Sequence, residues 1–179
     1  MNTEKDDIIR ELALDLSNQP RAFKRDESLS QRAARNFDYN DPELLFRMSP
    51  NGPVVMGGSK EKLMLLLTNV SLIEFRYINE FLSVYPYFAS TNDLIESLWS
   101  AYYETSIPQA VSGDDRAEYI QKVRKRVLLI LRRWMDKYPS HFRSQNEVPK
   151  LAAFIDQIGA CEEKEKLELL LKVVILISL

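Results

Sequence analysis

Apolar residues across 115–138 recur at Ile120, Val123, Val127, Ile130, Leu131 and Trp134, steps of three and four that place them on one stripe of an α-helix. From Val127 to Leu131 the run is apolar without interruption, between the basic clusters Arg124-Lys125-Arg126 and Arg132-Arg133. A helix resting on one side of a core does not need that, so the middle of this one is expected to be enclosed by other helices. Asp114 or Asp115 is placed to cap its start, where a carboxylate accepts free amides and opposes the helix dipole; Pro139 closes the far end.

The same period continues on either side. Ile8, Ile9, Leu12 and Leu16 predict a short amphipathic helix over 3–17, marginal by itself. Residues 18–40 are polar, mixed in charge and aperiodic, as in a linker or a segment ordered only on a partner. Asp41-Pro42-Glu43 predicts a helix start that Ser49-Pro50-Asn51-Gly52-Pro53 stops within about two turns. That stop divides an N-terminal extension, 1–52, from a helical domain, 53–179. Residues 54–59 form a strand-like piece ending in a turn, after which Ser59 caps a helix that buries Leu63, Met64, Leu66 and Leu67. A second helix starts at Ile73 or Glu74, with Phe75, Ile78, Phe81 and Leu82 on its stripe, and ends before Pro86. Ser90-Thr91-Asn92-Asp93 is a capped start for a third, burying Leu94, Ile95, Leu98, Trp99 and Tyr102. Beyond the central helix, 144–156 carries Leu151, Ala152, Phe154 and Ile155, tolerates Pro149 in its first turn and stops at Gly159. The last segment, 162–179, turns apolar nearly all round after Lys172 and calls for a covering surface. The pattern predicts an all-α fold: a compact multi-helix bundle around a central long helix (115–138), with short connections and a partly disordered N-terminal segment.

Composition narrows the function. In 179 residues, 45% are apolar, 28% are charged and the net charge is −2, so nucleic acid is not an expected partner. The single cysteine, Cys161, has no internal disulfide partner, and the acidic N-terminus is unlike a signal peptide, so a cytoplasmic location is expected. Residues 167–179 are too short for a transmembrane span and contain Glu168 and Lys172; peripheral recruitment to a membrane stays open. His141 is the only histidine, expected to be exposed or charge-compatible near a helix end, and neither a metal nor a cofactor site is expected. Gly57-Gly58-Ser59 lacks the spacing of a phosphate-binding loop and reads as a chain reversal. Lys122, Arg124, Lys125, Arg126, Arg132, Arg133 and Lys137 form either a surface for acidic lipid or protein, or a solvated face whose stems cover apolar surface. The aromatic set Phe75, Phe81, Tyr85, Trp99, Tyr102 and Trp134 reads as core rather than as a ligand box. No catalytic constellation emerges, and Glu96, Glu118, Asp136 and Glu147 show no paired-carboxylate spacing.

Three segments carry a resemblance: VVMGGSKEKLMLLLT (54–68), FLSVYPYFASTNDLIESL (81–98) and RVLLILRRWMDKYPSHF (126–142). In these, Gly57-Gly58 precede a helix start, Phe81, Leu82, Tyr85 and Phe88 stand ahead of Ser90 or Thr91, and Arg126, Val127, Leu128, Leu131 and Trp134 follow in a fixed spacing. Residues 54–158 resemble the Ras exchanger motif, the N-terminal module of Ras-family guanine nucleotide exchange factors. Tyr87, between Tyr85 and Phe88, departs from the pattern. The resemblance implies a non-catalytic module that packs on a catalytic exchange domain absent from this chain and supports the hairpin that opens the GTPase site. The expected interface is Leu167, Leu170, Leu171, Val174 and Ile175, with the surface around Trp99 to Tyr103, taking the exchange domain or a second copy of this chain. The alternative is a stand-alone helical adaptor that binds a small GTPase or another signalling protein directly, with the N-terminal segment as its recruitment arm.

Overall fold

The computed structural model describes residues 41–49, 52–70, 75–107, 111, 113, 115–142 and 146–178. The helix expected at 3–17 and the linker at 18–40 lie outside them.

The chain does not enter the fold as a helix. Asp41 Oδ1 accepts from the Glu43 amide at 2.9 Å and the Asp41 carbonyl from the Leu44 amide at 3.0 Å, a tight turn rather than a helix cap. It leads into β1 (Leu44–Ser49), which pairs antiparallel with β2 (Gly52–Gly58) around a bulge between Leu45 and Phe46. Strand pairing wins because 44–49 is too short to stand as a helix and finds a β-prone partner in Val54 and Val55. The period is two: Leu44 is buried while Leu45 is 67% exposed. The hairpin also straddles the position where the sequence suggests a boundary, residue 52.

Ser59 caps α1 (Lys60–Thr68), its hydroxyl accepting from the Lys62 amide at 3.4 Å. Lys62 reaches back to Asp41 at 2.6 Å and the Ser59 amide to the Glu43 carbonyl at 3.0 Å, fastening the hairpin to this helix. Next come α2 (Phe75–Val84) and a 3₁₀ turn, Tyr85–Tyr87, where Pro86 ends the helix. In α3 (Thr91–Tyr103) Ser90 and Asp93 form the reciprocal capping box, at 3.1 and 3.0 Å. Then follow α4 (Arg116–Lys137), a second 3₁₀ turn (Pro139–His141), α5 (Glu147–Gln157) with Pro149 in its first turn, and α6 (Glu162–Ser178).

Two expected caps are replaced. Asp115 holds the N-cap position of α4 in a helical conformation and makes no capping bond with its side chain, because only an extended N-cap residue can turn its oxygen onto the amides ahead; Asp114 lies outside the described residues. Gly159 has no left-handed backbone, and the last carbonyls of α5 are instead taken by Lys164 from α6.

α4 is the axis. Val127, Ile130, Leu131 and Trp134 are fully buried, and the shell around them holds Leu67 of α1, Leu82 of α2, Leu98 of α3, Phe154 of α5 and Leu167 and Val174 of α6. Each such side chain contributes about 1.5–3 kcal/mol by leaving water. The terminal helix is therefore part of the wall: its stripe of Leu167, Leu170 and Val174 seals one side of α4.

Candidate functional site

The family-motif residues converge on one corner. Phe81, Leu82, Tyr85, Val127, Leu128, Leu131 and Trp134 are buried, and Phe88 sits at the rim, its ring roughly perpendicular to that of Phe81 with centres 5.8 Å apart. Tyr85 stands edge-on to Trp134 at 5.5 Å and to His141 at 5.3 Å, while Trp134 packs on Phe142 at 4.5 Å. Polar contacts lock the same corner. Trp134 Nε1 donates to His141 Nδ1 at 3.2 Å, Thr91 Oγ1 donates to the His141 carbonyl at 3.1 Å, and the Tyr85 hydroxyl shares a bond with Thr91 Oγ1 at 3.1 Å. His141 is thus a structural acceptor, a role beyond the exposed or charge-compatible helix-end histidine expected. No local signal in Pro139-Ser140-His141 announces this, because its partners lie on α3, α4 and the turn after α2. Burial pushes the Tyr85 phenol up to about 12 and lowers the His141 pKa, against which Glu147 acts weakly.

The cations of α4 do not form a free basic surface. Arg126 Nε donates to the Leu67 carbonyl at 2.7 Å and Arg124 Nε to the Tyr102 carbonyl at 3.1 Å, the Arg124 guanidinium lying 5.3 Å over the Tyr102 ring. Arg132 is buried with Nη1 3.7 Å from Glu163, Arg133 bonds Asn79, and Lys122 pairs with Glu118 at 3.0 Å. Helices α1, α3 and α5 carry no basic residue in their last turns, and each receives one from another helix: Arg126, Arg124 and Lys164 respectively. Burial pulls the Arg126 pKa down to about 10, which leaves it charged at neutral pH. Lys125 and Lys137 remain outward.

Of the expected interface, Leu167, Leu170 and Val174 are inside the core and unavailable to a partner. Leu171 and Ile175 are placed differently, on the flank of α6 that faces α5. Leu171 lines a shallow depression of about 410 Å³ with Ala152, Ala153, Ile155, Asp156 and Glu168, and Ile175, 38% exposed, lies one turn further along the same flank. Leu176 and Leu169 face outward from the opposite side of the helix. Around Trp99 to Tyr103 the rings are half-buried: Trp99 packs on Tyr103 at 4.9 Å, and Tyr102 meets Phe154 of α5 at 5.9 Å. At the motif corner Tyr87 is 90% exposed, beside Val84 and Phe88. Of Phe75 only the helical backbone is described. Among the described residues no three His, Cys, Asp or Glu side chains group as metal ligands, and no helix is long and apolar enough to cross a membrane.

Residues 54–158, from within β2 to the end of α5, match the family described as the RasGEF N-terminal motif. The chain is similar to Ral guanine nucleotide dissociation stimulator-like 1 of Homo sapiens, 32% identical over 107 residues that cover 58% of this chain and 14% of that protein. The Mus musculus protein of the same name is 32% identical over 118 residues (63% of this chain, 15% of the relative), and that of Danio rerio 33% over 103 residues (54% and 12%). The similarity thus spans 12% to 15% of the relatives' own length. The matched stretch holds the hairpin's second strand, the capped α1 and α3, and the buried corner of Tyr85 and Trp134, and the chain belongs to the RasGEF N-terminal motif family.

Proposed function

We propose that this chain is a non-catalytic regulatory module of a Ras-family guanine nucleotide exchange factor, acting in the cytoplasm by packing on and stabilising a catalytic exchange domain. The family match over 54–158 carries this reading. The fold supports it: α6, beyond the matched stretch, closes the core with one stripe and leaves Leu171 and Ile175 along the flank toward α5, apolar surface of the kind that marks a protein interface. The depression between α5 and α6 is the docking place in this reading, and the same flank serves any pairing of two copies. Its test is a calorimetric titration of the full chain into the separately purified exchange domain of a Ral guanine nucleotide dissociation stimulator-like protein. Saturable binding with a raised melting temperature of that domain is expected; no heat and no shift at high micromolar concentrations would refute it.

A second reading, direct binding of a small GTPase by an adaptor, draws on the corner where Tyr87, Val84 and Phe88 face solvent. Titration with GDP-loaded and nucleotide-free Ras-like GTPases separates the two. Binding to a GTPase that Tyr87→Ala weakens, with none to the exchange domain, favours the adaptor.

A further inference from the structure

We propose that His141 is a proton-operated latch, which in its neutral form holds the second 3₁₀ turn against α4 and α3 and which releases that corner when protonated. The basis is the direction of one hydrogen bond. An indole N–H can only donate, so the 3.2 Å contact from Trp134 Nε1 requires a bare Nδ1 and places the imidazole proton on Nε2. Protonation puts a second N–H where the acceptor was, the two donors then oppose each other, and the fully buried indole is left with the Tyr85 hydroxyl, already tied to Thr91, as its other polar neighbour. The Trp134 contact and the bond from Thr91 to the His141 carbonyl are both made to one residue, so its displacement strains both ties and, through Thr91, the Tyr85 hydroxyl.

The groups around the ring are few. Tyr138 stacks on it at 5.0 Å and Tyr85 meets it edge-on; α3 offers the Thr91 hydroxyl, α4 the indole, and α5 the carboxylate of Glu147. Among the described residues, Glu147 is the charged group that acts on the His141 titration. Burial outweighs Glu147, so the folded pKa lies below the ordinary 6.5. The unfolded chain therefore binds this proton first: stability is intact above the unfolded value of 6.5 and is lost as pH falls from there through the folded value.

The test uses the full chain carrying Trp99→Phe, which leaves Trp134 as the sole indole. Between pH 7.5 and 5 its emission should change in one step, with the protection of the His141 and Phe142 amides, corrected for the slower intrinsic exchange at low pH, falling about tenfold, the factor one orphaned buried donor is worth. Adding His141→Asn supplies an acceptor oxygen that does not titrate and should flatten both responses. Nitrogen-15 shifts of the imidazole in the unmutated chain report the tautomer without any variant. A proton on Nδ1 at pH 7.5, a flat response in the Trp99→Phe chain, or the same step with His141→Asn would each overturn the latch.

Discussion

Gly57 and Gly58 stand side by side, yet a methyl group would meet different things at each. A Cβ on Gly58 would lie 2.7 Å from Leu44 Cδ2 and 2.8 Å from the Glu43 carbonyl oxygen, whereas at Gly57 it would meet nothing within 4 Å. The Glu43 carbonyl accepts from the Ser59 amide, so it is held where the Cβ would go. Gly58→Ala should therefore cost about 1–3 kcal/mol by overpacking the joint between hairpin and α1. Gly57→Ala should be neutral or stabilising by up to about 1 kcal/mol, because it only restricts the unfolded chain. Urea unfolding of the two variants, read at the midpoint, separates them; equal losses would mean the pair is required for another reason. At this scale sequence reasoning reads burial well where a residue belongs to a long period, as with Trp134 and Leu131. It fails where the role comes from a partner far along the chain, as with His141, or from a shape the residue name does not encode, as with Gly58.

Helix ends explain what the basic residues of α4 do. A helix leaves its last carbonyls without partners and its C-terminus partly negative, and α1, α3 and α5 each lack a cation of their own there. Arg126, Arg124 and Lys164 supply one from a neighbouring helix, so these charges fix how helices meet as well as how they end. Arg126→Met keeps the apolar stem but strips the donor from the Leu67 carbonyl, and should cost about 1–3 kcal/mol. Lys125→Met, next to it but exposed, should stay within about 0.5 kcal/mol. Thermal melts of the pair decide whether the basic cluster is internal fastening or a solvated face; equal effects would favour the face. The helices themselves are legible in the sequence because Ser59 and the Ser90–Asp93 box are local signals beside a sustained apolar period. β1 is not: Asp41-Pro42-Glu43 suits a helix start and a tight turn equally, and the choice is made by Val54 and Val55 across the hairpin.

In the bundle, α6 carries apolar side chains in two directions, one set into the core and one on the flank toward α5. Excess apolar surface at 167–179 is legible from the sequence, but its division is not, since only the positions of α4 and α5 decide which side of the helix is spent on the core. Val174 faces inward and is fully buried, whereas Ile175 is 38% exposed on the flank toward α5. Val174→Lys would place an unpaired ammonium among apolar side chains and should unfold the domain or cost upward of about 3 kcal/mol. Ile175→Lys puts a cation near a helix C-terminus, where the dipole favours it, and should change stability by no more than about 1 kcal/mol. If the α5–α6 flank is the docking place, Ile175→Lys should nevertheless weaken binding to the exchange domain about tenfold or more, the loss expected when a charge is desolvated in an apolar contact. The same variant in light scattering tests pairing of two copies through that flank. An Ile175→Lys chain that folds and binds as before would move the docking surface off α6 altogether, toward the corner where Tyr87 stands clear of the core.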